Sequence, residues 1–328
     1  MEKSRAYTAC AWQTVVSTVQ RAKACAQPAT VQFGRGECNV SVNRDVVGFD
    51  LWSGRTTYIQ GQNFHGYSDK PVLTLLFRRE DGSPLAVLFN YAVHSSILFH
   101  TDQKDGGQLA SGDLAGSAMR QTEAALGKDC VALFTMGAAA DQDARYTGSY
   151  VERDENGQYR HRDFRLGSFA LVDSLGRELA SEVTAMCAEE TVSPEDSVIT
   201  MASVVLSIAG KKRNEGPGVP IPRGLDDYEP HGQVPLPVML ARLGDVWMVG
   251  IGCEITSHIG AEIRSVLARM GHKNVWIITQ CNGASSYMAD EESYKKVTFT
   301  AKASYMMPGA SRQLIEGVLS LEKKTAES

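Results

Sequence analysis

Apolar residues along this chain gather in short runs rich in Val, Leu, Ile and Phe, separated by turn formers or by helix-like periodicity. Runs of that length and composition predict strands buried on both faces. Leu85 to Val93 is one such run and stops at His94. Cys130 to Met136 is a second and stops at Gly137–Ala138–Ala139–Ala140–Asp141. After His94 comes a polar loop, and then a helix opens at Ser111–Gly112–Asp113. Strand, helix, strand in that order predicts a right-handed βαβ unit with parallel strands. Parallel strands carry His94 and the Asp141 region to one edge, the carboxyl ends, where open α/β sheets take ligands.

The order repeats in Asp245 to Ile251 (strand), Thr256 to Met270 (helix) and Val275 to Gln280 (strand). Pro71 to Phe77 leads into the Leu85 run through Glu80–Asp81–Gly82–Ser83–Pro84, a hairpin-like turn, which makes that pair antiparallel and the sheet mixed. Short strands are expected at Thr30–Phe33 and Cys38–Val42 around a Gly34–Arg35–Gly36 turn, and a long one from Val198 to Ile208. Helices are expected over residues 7–26, packed on the body through Ala11, Val15 and Val19, from about Phe164 to Ala188, and from Ser311 to Glu322. Residues 43–70 have no period. Residues 148–163 are charged and aperiodic, a surface excursion, and Lys211 to Pro237 form a Pro- and Gly-rich stretch, a candidate rim for a substrate cleft. The fold class expected is α/β, mixed sheets flanked by helices, in one domain over 1–328.

Composition excludes some functions. A net charge of −5 gives no electrostatic footprint for nucleic acid. No apolar run is long enough for a transmembrane segment. Seven scattered cysteines contain no CxxC pair and no zinc-finger spacing, which points to reduced thiols and, on the sequence as given, to the cytoplasm.

Candidate chemistry lies just beyond the apolar runs. His94 is either a strand-end histidine with a backbone partner or a metal ligand. Glu254, in Gly250–Ile251–Gly252–Cys253–Glu254, is either a carboxylate stabilised by the following helix or a metal ligand. Gly250 and Gly252 would let a ligand or another backbone come close. Tyr287, in Asn282–Gly283–Ala284–Ser285–Ser286–Tyr287, is a loop tyrosine or an unusual phenolate ligand. Asp141, Asp143 and Arg145 form a solvated ion-pair loop or part of a site. Asp113 suits a helix start. If the strands are parallel neighbours, His94, Asp141, Glu254 and Tyr287 share one face, and their donors suit a cation such as zinc.

The order Asn43–Arg44, Asn90 to Ser96 (NYAVHSS), Ser111 to Gly116 (SGDLAG) with Glu123, Gly137 to Asp143 (GAAADQD), Gly252 to Glu254 and Asn282 to Tyr294 (NGASSYMADEESY) resembles the amidase domain of neutral/alkaline ceramidases, over roughly residues 7–315. The resemblance implies the N-terminal catalytic domain of that family and a zinc-dependent hydrolase that cleaves an amide of an N-acylsphingosine-like substrate, a lipid or other small molecule, by metal-activated water. It matches His94, Glu254 and Tyr287 to zinc ligands and Arg44 to an arginine lining the active site, with Asp141 and Asp143 as further catalytic candidates. The chain departs from the family in three ways. The other zinc histidine of the family lies in an upstream HxH motif, and no HxH occurs here. Asp143 stands where the family has serine, and Phe299 where it has tyrosine. The expectation is therefore of a domain lacking its amino-terminal part, with any export signal, and without the family's carboxy-terminal immunoglobulin-like domain. The rival expectation is a degenerate member that keeps the fold as a non-catalytic binding domain.

Overall fold

The computed structural model describes residues 2–50, 54–99, 101, 110–127, 129–189, 198–216 and 219–326. The first half runs α1 (Glu2–Ala24), β1 (Thr30–Glu37), β2 (Ser41–Asp50), β3 (Arg55–Asn63), β4 (Pro71–Arg78), β5 (Pro84–Tyr91), α2 (Asp113–Leu126), β6 (Val131–Met136) and β7 (Gln142–Ala144). Then follow β8 (Ser149–Arg153), β9 (Tyr159–Asp163), α3 (Ser168–Ala188), β10 (Ile199–Lys211), β11 (Pro230–Leu243), β12 (Val246–Ile251) and β13 (Glu254–Ile255). The last part holds α4 (Ser257–Arg269), β14 (Asn274–Thr279), β15 (Tyr287–Met288), α5 (Glu291–Lys296), α6 (Phe299–Ala303) and α7 (Ala310–Ala326).

Two mixed four-stranded sheets, ordered β1-β4-β5-β6 and β10-β11-β12-β14, form the centre. Within each, one pair is parallel, β5 with β6 and β12 with β14, as the two strand–helix–strand units require. Side chains alternate across each strand and both faces are apolar, which explains the continuous runs. On β4, Val72 and Leu76 face α2 and α3 with Val87, Phe89 and Tyr91 of β5. Leu73 and Leu75 face the other way, against Leu243, Val246 and Trp276 of the second sheet. That sheet's far face, with Leu240, Trp247, Val249 and Ile277, packs on α4 and α7 through Ile259, Ile263, Leu314 and Val318. The layers are thus helix, sheet, sheet, helix. Asn90 ties the sheets by donating from Nδ2 to the Thr135 carbonyl at 3.1 Å and across the seam to the Ile277 carbonyl at 2.9 Å.

Several expectations need correction. Gly34 and Gly36 make no turn; β1 runs straight through them. A Cβ on Gly34 would stand 2.5 Å from Thr74 Oγ1 and 3.1 Å from Met186 Cβ, so these glycines let α3 approach the sheet. The aperiodic 43–70 stretch holds most of the β2–β3 hairpin, and residues 148–163 hold the β8–β9 hairpin. The β8–β9 hairpin is largely exposed, and β2–β3 is buried only at its start, Ser41 to Arg44, so neither shows an apolar rhythm. The stretch from Lys211 to Pro237 is shorter as a loop than expected, because Pro230 onward belongs to β11. Pro235 and Pro237 are tolerated there because β11 pairs with β12 only from Val238 onward. The first helix forms but packs on nothing described: Tyr7 is 76% exposed and Trp12 71%. Most of the polar loop expected after His94 lies outside the described residues. All seven cysteines are free thiols. Among the described residues no helix is long and apolar enough to cross a membrane.

Candidate functional site

His94 leaves β5 three residues past its end, and the neighbouring turn after β6 fixes it. Its backbone N–H donates to the Gln142 carbonyl at 3.1 Å, and ring Nδ1 lies 2.8 Å from that same oxygen. A carbonyl can only accept, so Nδ1 carries a proton. Nε2 then points at Glu254 Oε2, 2.7 Å away. Glu254 reaches this place from the second sheet, through β13, so the pair straddles the two sheets. Gln280 donates to the other carboxylate oxygen, Oε1, at 2.5 Å. Burial alone would raise the Glu254 carboxyl, but the His94 hydrogen bond and charge, Gln280 and Arg44 outweigh it and hold the group below its ordinary range.

Strand β13 pairs in parallel with β15, and Glu254 is the register partner of Tyr287, so their side chains start from adjacent positions on one face. The loop before Tyr287 is strained: Gln280, Asn282 and Ser286 all have left-handed backbones, at φ +54°, +56° and +60°. Gly252 permits a backbone approach, as its position implied. A Cβ there would lie 2.8 Å from Pro237 Cδ and 3.2 Å from the Pro237 carbonyl oxygen.

Arg44 on β2 is 4% exposed. Its guanidinium carbon stands 5.5 Å from the Tyr287 ring centroid and 5.3 Å from that of Phe299, and those two rings meet edge to face. Asp143 offers a loose ion pair, 3.7 Å from Arg44 Nη1. Arg44 Nε and Nη2 are buried with no hydrogen-bond partner. Buried guanidinium N–H groups without acceptors are costly, and no described protein group satisfies these two. Asp143 lies 3.6 Å from His94 Nδ1 and accepts from Ser96 Oγ at 3.2 Å.

The structure therefore brings His94, Glu254, Arg44 and Asp143 together, with Tyr287 and Phe299 beside them. Asp141 is placed differently. Its carboxylate takes Ser257 N at 2.7 Å, Ser257 Oγ at 2.7 Å and Asn43 Nδ2 at 3.2 Å, which caps the amino end of α4 from another segment. Asp113 also serves a turn: its carboxylate collects the Ile97, Leu98 and Leu114 N–H groups. Arg145 pairs with Glu178 at 2.6 Å, on α3. Gln142 and Gln280 were not anticipated. Gln142 works through a backbone carbonyl, and Gln280 through a side-chain amide aimed by a left-handed backbone, and neither geometry leaves a mark in the sequence.

The donors in direct contact are an imidazole nitrogen and a carboxylate oxygen, with a phenol on the adjacent position. Among the described residues no three His, Cys, Asp or Glu side chains form a metal cage. The chemistry nevertheless fits a borderline cation. With a proton on Nδ1 alone, the imidazole would present a lone pair to a carboxylate, and two acceptors would face each other at 2.7 Å. Either a second proton or a cation must resolve that contact. A ring nitrogen donating to a main-chain carbonyl is also the outer contact that ligating histidines use.

No protein-family model matches the chain, and no curated protein does. Similar solved structures include two ceramidases. One is the neutral ceramidase from Pseudomonas aeruginosa, with a TM-score of 0.68, 15% identity, and coverage of 94% of this chain and 55% of that one. The other is a ceramidase complexed with C2, with a TM-score of 0.68, 16% identity, and coverage of 93% of this chain and 55% of that one. The chain thus has a ceramidase-like fold and spans about half the length of these proteins.

Proposed function

We propose that this chain, a single ceramidase-like domain, carries a zinc-assisted hydrolase site for an amide bond, with N-acylsphingosine-like lipids as the substrate class. The observation that carries the proposal is the His94–Glu254 contact across the two sheets, with Nδ1 fixed by the Gln142 carbonyl. His94, Glu254 and Tyr287 would hold the metal, which supplies an acidified water and polarises the scissile carbonyl. Gln142 and Gln280 orient the first two. Arg44, with two unpartnered N–H groups, would bind the developing negative oxygen of the substrate carbonyl. Asp143, loosely paired, would accept a proton from the attacking water and return it to the leaving amide nitrogen. Asp141 acts at a distance, by fixing the turn and helix that present Gln142.

Calorimetric titration with zinc tests this. One equivalent should bind, and His94→Ala and Glu254→Gln should each weaken it about tenfold or more. Absence of binding, or unchanged affinity in both variants, would overturn the proposal. A second reading, a binding domain without catalysis, is favoured by Asp143 and Phe299 and by the 2.7 Å contact itself, which a single extra proton satisfies without metal. The titration separates the two.

A further inference from the structure

A cleft of about 1010 Å³ opens between β3, residues 221–223 and the α5–α6 turn. Arg55, Arg223, Lys295, Lys296 and Lys302 line it, and no lining residue is acidic. The chain as a whole is acidic, at −5, so this cluster runs against its composition. Lys295 is held by Glu291 and Glu292, at 3.0 and 2.9 Å, neither of which lines the cleft. Among the described residues no carboxylate lies within ion-pair distance of the other four cations. Like charges crowded in one concavity repel one another and focus a positive potential that an anion relieves.

The chemistry is specific in kind. Arginine forks and lysine ammonium groups together match the oxygens of a phosphate. Lys296 lies 5.9 Å from the Tyr58 ring centroid, on the cleft wall. Lys302 is half-buried, and burial lowers its ammonium from the ordinary value while Asp45 pulls the other way. The volume exceeds one phosphate and suits a whole small molecule. Its lining adjoins the elements of the candidate site without sharing a residue with it: Lys302 is on α6 with Phe299, and β3 is the hairpin partner of β2, which carries Arg44.

We infer that this cleft is an anion site that takes a phosphate-class group, either of a free polyphosphate or of a phosphate-headed lipid. The binding does not depend on the hydrolase reading; where both hold, the phosphate belongs to the amide substrate or to its effector.

Titration of the full chain with inorganic pyrophosphate, and separately with dodecyl phosphate kept below its micellar concentration, reads the site without zinc. One equivalent of at least one probe should bind. Lys296→Glu and Arg223→Glu should each weaken it about tenfold or more, the scale of a lost charge-assisted contact. Tighter pyrophosphate binding assigns a free polyphosphate and tighter dodecyl phosphate binding a lipid headgroup; both support the site. No binding of either probe, or full binding in both variants, overturns it. Both residues are exposed, so the fold should tolerate the charge reversals, and circular dichroism checks that it does. Zinc titration of the same variants is expected at the unsubstituted value, so the anion site and the hydrolase proposal fail on separate measurements.

Discussion

Asp45 stands one residue past Arg44, and burial pushes its carboxyl up from 3.8 to about 7, with the nearby Asp141 adding to the effect. Its Oδ1 is buried without a hydrogen-bond partner. A raised folded-state value means the fold prefers the protonated acid. That contribution is complete below the unfolded value near 4 and is lost as pH rises through about 7. Asp45→Asn removes the titration, so it should unfold at a higher temperature than the unsubstituted chain at about pH 8, with the gap narrowing toward about pH 5. Thermal denaturation at both values checks this, and an equal gap at the two would contradict the assignment. Asp141 is a contrasting acid, whose oxygens are all engaged. Asp141→Ala strands Ser257 N–H and Oγ–H and should cost about 2–3 kcal/mol in urea unfolding. At this scale the sequence was a fair guide to identity and a poor one to role. That His94, Glu254 and Tyr287 come to one place was legible because each follows an apolar run or a glycine-marked turn. The difference between Asp141 as helix cap and Asp143 as site neighbour was not, because two acids two residues apart have the same signature until the turn is folded.

Elements with apolar residues on both faces announced themselves, and elements without them did not. The strands β4, β5, β6, β12 and β14 are unbroken apolar runs, so their order and the two parallel pairings could be read directly. The β8–β9 hairpin lies largely in solvent and β2–β3 is buried only at its start, and backbone pairing alone leaves no pattern in side-chain polarity. Glycine was ambiguous in the same way, since a tight turn and a close approach both demand it. Gly260 on α4 is of the second kind: a Cβ there would lie 2.5 Å from Ala138 Cβ, in the turn that ends at Asp141. That turn is held to the Glu254 strand by Ala140 N–H donating to the Ile255 carbonyl at 3.0 Å. Gly260→Ala should therefore push α4 off the turn, destabilise the chain by about 1–3 kcal/mol, and weaken zinc binding although it touches no donor. Urea unfolding and zinc titration measure the two effects. A stability loss with unchanged zinc affinity would show that α4 does not position the site.

Across the whole molecule the candidate site belongs to neither sheet. His94 and Arg44 come with the first half of the chain, Glu254, Gln280 and Tyr287 with the second, and the two sheets meet through an apolar seam of Leu73, Leu75, Val246 and Trp276. An apolar seam resists separation but leaves sliding cheap, because hydrophobic contact is non-directional. Direction comes from Asn90, whose amide reaches across the seam to the Ile277 carbonyl. Asn90 is four residues before His94, and Ile277 three before Gln280, so this bond sets the offset between the two groups that meet at Glu254. Asn90→Ala should cost about 1–3 kcal/mol for the unpaired Ile277 carbonyl. Its larger consequence should be at the site, where a shift of a fraction of an ångström separates His94 from Glu254 and zinc affinity falls. Asn90→Asp tests the direction as well as the presence of the bond, since a carboxylate facing that carbonyl repels it. Both variants losing zinc affinity, while Val131→Ala on the exposed side of β6 keeps it, would establish the seam as the element that aligns the site. Full affinity in Asn90→Ala would mean that apolar packing alone holds the register.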